Sequence, residues 1–158
     1  MDVVQDLQNK TVLIVEDNPK NMKLTGDIVR SLGMKAIEAM DAETGLEIAR
    51  RQKPDLILMD IQLPGMSGVE AIKILKNGDA TRHIPIVAVT ASAMDGDREK
   101  IMSAGCDWYI SKPFNLYELT DVLKRFLVPS SYSDINSTKG NSVQQNEIEP
   151  VIASDELA

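Results

Sequence analysis

The sequence predicts an α/β fold of the doubly wound kind, a five-stranded parallel sheet covered by helices on both faces. Two observations carry the prediction. Five short β-rich runs alternate with five segments bearing helix start and stop signals, and such alternation implies βαβ units. Three of the runs, 11–16 (TVLIVE), 55–60 (DLILMD) and 84–90 (IPIVAVT), are apolar almost without interruption, as strands buried on both faces are.

Taken in order, the strand at 11–16 leads to Asn18, which can cap a helix beginning at Pro19 and closed by Gly33. A β-rich run at 34–40 precedes Asp41 and the helical AETGLEIARR. The run 55–60 is followed by the loop residues Ile61, Gln62, Leu63, Pro64 and Gly65, and Ser67 then opens GVEAIKILK, whose Val69, Ile72 and Leu75 share one helix face. After 84–90, Asp95 opens a helix that stops at Gly105. The last strand, 107–111, leads to Asn115 and Glu118, a capping-box pair before LTDVLKRFL.

These elements define a domain over 11–128, preceded by a short polar lead-in at 1–10. From 129 to 158 the composition turns to Ser, Asn and Gln, and five acids stand against Lys139 alone, which favours a disordered acidic tail. The whole chain has 158 residues and a net charge of −7, so an electrostatically driven nucleic-acid partner is not expected. With 43% hydrophobic but only 4% aromatic residues, the core must be built from aliphatic side chains. No apolar run approaches the roughly 18 residues that a membrane span needs, and no secretory signal opens the chain, so a cytoplasmic location without membrane insertion is predicted. Cys106 reads as a small buried apolar residue and His83 as a surface residue.

The chemistry gathers where the strands end. Ligands of such sheets bind beyond the carboxyl ends of the strands, and those ends carry Glu16 and Asp17, Asp60, Thr90, and Lys112. Three carboxylates drawn together repel one another unless a proton or a cation intervenes. Oxygen ligands without His or Cys select a hard cation, Mg²⁺ or Mn²⁺. Asp60, which ends a buried strand and is followed by a loop, suits a nucleophile that forms an acyl phosphate. Lys112 can then contact the phosphoryl group and Thr90 can hydrogen-bond one of its oxygens. A cis bond between Lys112 and Pro113 is plausible.

Together, VLIVEDNPKN, DLILMDIQLPGMSGVE, IPIVAVTASA and YISKPF make the region 11–128 resemble the CheY-like receiver domain of two-component response regulators, within which it is similar to stand-alone DivK-type receivers that lack an output domain. The resemblance implies a flavodoxin-like (βα)5 fold with strand order 2-1-3-4-5. It implies Asp60 as phosphoacceptor and Glu16, Asp17, Asp60 and the backbone carbonyl of Gln62 as Mg²⁺ ligands. Thr90 and Lys112 correspond to the switch hydroxyl and the phosphate-contacting lysine, and Tyr109 to the aromatic side chain that turns inward on activation. Gln62 and Ser92 are placed to tune the lifetime of the phosphoryl group, and Trp108 to report metal or phosphate by fluorescence.

The implied donor is a histidine kinase or a histidine phosphotransfer protein. The implied output is a downstream protein bound through the face of helix 4, strand 5 and helix 5, in a monomer or a phosphorylation-linked dimer. Such a domain is no enzyme for a separate substrate, since it catalyses only its own phosphorylation and dephosphorylation. The alternative is a constitutive interaction module of the same fold. A flavodoxin-type electron carrier is disfavoured because the acids of EDNPKN repel a flavin phosphate. A haloacid-dehalogenase-like phosphatase is disfavoured because Gln62 stands where it needs a second acid.

Overall fold

The computed structural model describes residues 6–91 and 95–128. Five strands form one parallel sheet: β1 (Thr11–Val15), β2 (Lys35–Ala39), β3 (Leu56–Asp60), β4 (Ile86–Thr90) and β5 (Trp108–Ser111). They alternate with α1 (Pro19–Ser31), α2 (Ala42–Gln52), α3 (Gly68–Asn77), α4 (Asp95–Ser103) and α5 (Leu116–Leu127). The strand order is β2-β1-β3-β4-β5, as the resemblance implied. The expectations for Ser92 and for the tail at 129–158 lie outside the described residues.

β3 and β4 are buried at every position, the signature of central strands covered on both faces. β2 lies at an edge and is only partly buried, which explains its less continuous apolar run. Successive side chains of a strand point to opposite faces. Leu13, Val15, Ile57, Met59, Ile86 and Ala88 therefore share one face, where they pack with Leu46 and Ala49 of α2, Ile72 and Leu75 of α3, and Ile101 of α4. The alternate positions Val12, Ile14, Leu56, Leu58, Val87 and Val89 are buried on the opposite face. Truncating one of the fully buried Ile or Leu side chains to Ala costs about 2–5 kcal/mol in such a core.

The helices begin where the sequence signals them. Asn18, Asp41 and Ser67 cap α1, α2 and α3, and Ser67 forms a reciprocal capping box with Glu70. Asn115 and Glu118 exchange the two hydrogen bonds predicted for the start of α5. Gly33 and Gly105, which follow α1 and α4, adopt the positive φ that glycine tolerates. The lead-in holds one feature its polar composition conceals: Leu7 is fully buried, and the Asn9 amide donates to the Gly33 carbonyl at 3.1 Å. No described helix is long and apolar enough to cross a membrane.

Candidate functional site

Parallel pairing brings the ends of β1, β3, β4 and β5 to one edge of the sheet. Val15 pairs with Met59, Asp60 with Val89, and Thr90 with Ser111. Lys112 is thereby carried to the same edge, its amide donating to the Thr90 carbonyl at 2.7 Å. The peptide bond between Lys112 and Pro113 is cis.

The Lys112 ammonium lies between two carboxylates from different strands. Its Nζ is 3.0 Å from Glu16 Oε1 and 3.2 Å from Asp60 Oδ2. Glu16 and Asp60 are 5% and 3% exposed, so both ion pairs are shielded from water. Asp60 Oδ1 accepts a hydrogen bond from the Gln62 amide at 3.0 Å. Half-buried Asp17 completes the group, with one carboxylate oxygen each from Glu16, Asp17 and Asp60 within 4.8 Å of one another.

These contacts shift the titration of the site in opposite directions. Burial, reinforced by the negative charge of Glu16, pushes the Asp60 carboxyl up to about 6, against the opposing pull of the Gln62 amide and Lys112. For Lys112, burial disfavours the charge, but the hydrogen bond to Glu16 and the negative charge of Asp60 outweigh it and raise its pKa. Three carboxylates face a single ammonium, so two negative charges remain without a partner in the cluster. An oxygen-only donor set with that surplus fits a hard divalent cation.

The loop after β3 is held close to Asp60. Gly68 donates to the Ile61 carbonyl at 3.0 Å, and a Cβ on Gly68 would lie 2.2 Å from the Asp60 carbonyl oxygen. Glycine is therefore required where α3 begins against the backbone of Asp60. This contact joins residues that the sequence pattern does not connect.

Thr90 is 2% exposed at the end of β4. Tyr109 pairs with Ala88 on the neighbouring strand, so the alternation of side chains puts Thr90 and Tyr109 on the same face. The Tyr109 hydroxyl meets Arg98 of α4 at 3.2 Å. Trp108 departs from expectation: it pairs with Val87, about 10 Å along the strand from the Thr90–Ser111 pair, and its ring lies beneath Arg125 of α5 at 4.4 Å. Cys106 is buried, and its thiol is pushed up to about 11, chiefly by burial. His83 is exposed. Both agree with the sequence reading.

Comparison with known proteins gives the same picture. The family model of the response regulator receiver domain matches residues 12–124. The polar-differentiation response regulators DivK of Brucella anthropi and Brucella ovis are 49% and 48% identical over 118 residues, which cover 75% of this chain and 96% of each relative. Among solved structures, the receiver domain of the sensor histidine kinase PA1611 from Pseudomonas aeruginosa PAO1, with a magnesium ion coordinated in its active-site cleft, is 37% identical. It superimposes with a TM-score of 0.73 over 77% of this chain and 99% of that one. The chemotaxis protein CheY4 of Vibrio cholerae, 24% identical with a TM-score of 0.72 over 75% of this chain and 99% of its own, shares the fold. The strand order, the match over residues 12–124 and the near-complete coverage of these relatives agree: the chain belongs to the response regulator receiver domain family of two-component signalling.

Proposed function

We propose that the chain accepts a phosphoryl group on Asp60 from a phosphohistidine of a histidine kinase or phosphotransfer protein, and that this modification switches the surface it presents to a downstream protein. The observation that carries the reading is the convergence of buried Asp60 and Glu16 on Lys112, at 3.2 and 3.0 Å, beside Asp17. In the transfer, an Asp60 carboxylate oxygen bonds to phosphorus as the phosphorus–nitrogen bond of the donor breaks, and the imidazole leaves with the electron pair. Water later hydrolyses the acyl phosphate, returning Asp60 and inorganic phosphate.

The carboxylates of Glu16, Asp17 and Asp60 and the backbone carbonyl of Gln62 would hold Mg²⁺, or Mn²⁺ in its place. When bound, the ion supplies positive charge against the phosphoryl oxygens. Lys112 already touches Asp60 and remains within reach of a phosphoryl group built on it. Gln62 would flank the path of the hydrolytic water and tune the lifetime of the phosphoryl group, a role also expected of Ser92, which lies outside the described residues.

Thr90 would move toward the new charge, and Tyr109 would turn into the space it leaves. Their shared face on neighbouring strands supports this coupling. The change would reshape the face formed by α4, β5 and α5. The role is that of a phosphoacceptor rather than an enzyme with a separate substrate. Treatment with acetyl phosphate and Mg²⁺ followed by borohydride trapping and peptide mapping tests the assignment. Reduction confined to the peptide containing Asp60 supports it; a labelled site elsewhere overturns it, and no acyl phosphate under any donor favours the constitutive interaction module.

A further inference from the structure

Asn18 stands between the acidic pair and α1 and faces both. Its side-chain Oδ1 accepts hydrogen bonds from the amides of Lys20 at 2.9 Å and Asn21 at 3.1 Å, which caps the helix. Its own backbone N–H donates in the other direction, to Glu16 Oε2 at 3.0 Å. Glu16 is therefore held by both oxygens, Oε1 by Lys112 and Oε2 by Asn18. With both oxygens engaged and the side chain buried, its orientation is set by these two donors.

Where the Asn18 N–H points depends on its backbone, which is extended at φ −88° and ψ 119°. Two features hold it there. Pro19 disfavours the helical region for the residue before it. The side-chain cap forms only while the capping residue stays extended and its oxygen reaches the second and third helical amides. One side chain thus couples the start of α1 to the orientation of a carboxylate in the site.

We propose that Asn18 is a positioning residue for the divalent-cation site: its helix cap fixes the backbone amide that orients Glu16. The inference rests on the reading of Glu16, Asp17 and Asp60 as a Mg²⁺ site. Groups that orient metal-facing side chains without touching the metal typically change metal affinity by about 10- to 100-fold when lost. Because Pro19 retains part of the restraint here, the lower end applies, and Asn18→Ala should weaken Mg²⁺ binding about tenfold.

The test is calorimetric titration of the full chain with Mg²⁺ alone, at a temperature where circular dichroism shows every variant folded. Asn18→Ser keeps a capping oxygen and should restore affinity to within about twofold of the unaltered chain. Asn18→Gly caps a helix almost as well but frees the backbone; it should bind Mg²⁺ weakly and serves if Asn18→Ala folds poorly. Asn115→Ala removes a neutral cap of the same kind from α5 and should lower the melting temperature without changing Mg²⁺ affinity. Unaltered affinity in both Asn18→Ala and Asn18→Gly, or an equal loss in Asn115→Ala, overturns the role of Asn18 alone. No Mg²⁺ binding by the unaltered chain overturns the metal reading and this inference with it.

Discussion

Arg98 of α4 donates a hydrogen bond to the hydroxyl of Tyr109 on β5 across 3.2 Å, and its guanidinium lies 5.9 Å from the centre of the tyrosine ring. The bond ties a helix to the side chain proposed to turn inward on phosphorylation. Among residues 97–103 of α4, Ile101 is the one buried side chain. An inward turn of Tyr109 must break the bond.

Arg98→Ala should therefore shift the balance toward the inward state before any phosphoryl group arrives. An exposed contact of this kind is worth under about 1 kcal/mol, so the shift should be less than about fivefold. By linkage, the fraction phosphorylated at a fixed, limiting acetyl phosphate concentration should rise to a similar extent. Intact-mass measurement of that fraction checks it, and a fall on removing Arg98 would count against the tie.

The Asp60 carboxyl titrates at about 6 in the folded protein, against 3.8 ordinarily. The folded state then holds this proton more tightly than the unfolded state does. Stability contributed by the protonated carboxyl is complete below about pH 4 and is lost as pH rises to about 6, leaving a penalty at neutral pH. Asp60→Asn removes the penalty, and Lys112 keeps Glu16 as its partner. The metal-free variant should be more stable than the unaltered chain at pH 7 by an amount on the order of 1–2 kcal/mol, and no more stable at pH 4. Urea unfolding in a chelating buffer at the two pH values measures this. A variant less stable at pH 7 would mean that Asp60 is not strained by its surroundings.

Gly68→Ala should be far more costly than Gly26→Ala, although both glycines begin or lie within helices. At position 68 the added carbon meets the Asp60 carbonyl oxygen at 2.2 Å and the Ile61 Cα at 2.7 Å, and backbone has to move. At position 26 it meets the tip of the Arg30 side chain at 2.5 Å, which can swing away. The first change should destabilise by about 2–4 kcal/mol and slow phosphorylation, and the second should be neutral or stabilise by up to about 1 kcal/mol. Denaturant midpoints together with phosphorylation rates test the contrast.

Much of this arrangement is legible in the sequence because strand ends are. Continuous apolar runs locate β1, β3 and β4, and the parallel alternation then forces Glu16, Asp60, Thr90 and Lys112 to one edge. Helix caps are legible for the same local reason, since Asn18, Asp41, Ser67 and Asn115 act on amides two or three residues away. What escapes is pairing across distance. Nothing in the pattern links Arg98 to Tyr109, Gly68 to the Asp60 carbonyl, or Leu7 to the core, because each contact depends on how helices and loops settle on the sheet. Trp108 shows the converse error: adjacency in sequence to Tyr109 suggests nearness to the site, but consecutive strand residues face opposite sides.

The most direct measurement is intact mass after incubation with acetyl phosphate, with and without Mg²⁺, for the unaltered chain and for Asp60→Asn. The expected result is a gain of one phosphoryl group that requires Mg²⁺ and is absent in the variant. Equal phosphorylation of the Asp60→Asn chain, or phosphorylation indifferent to divalent metal, would contradict it.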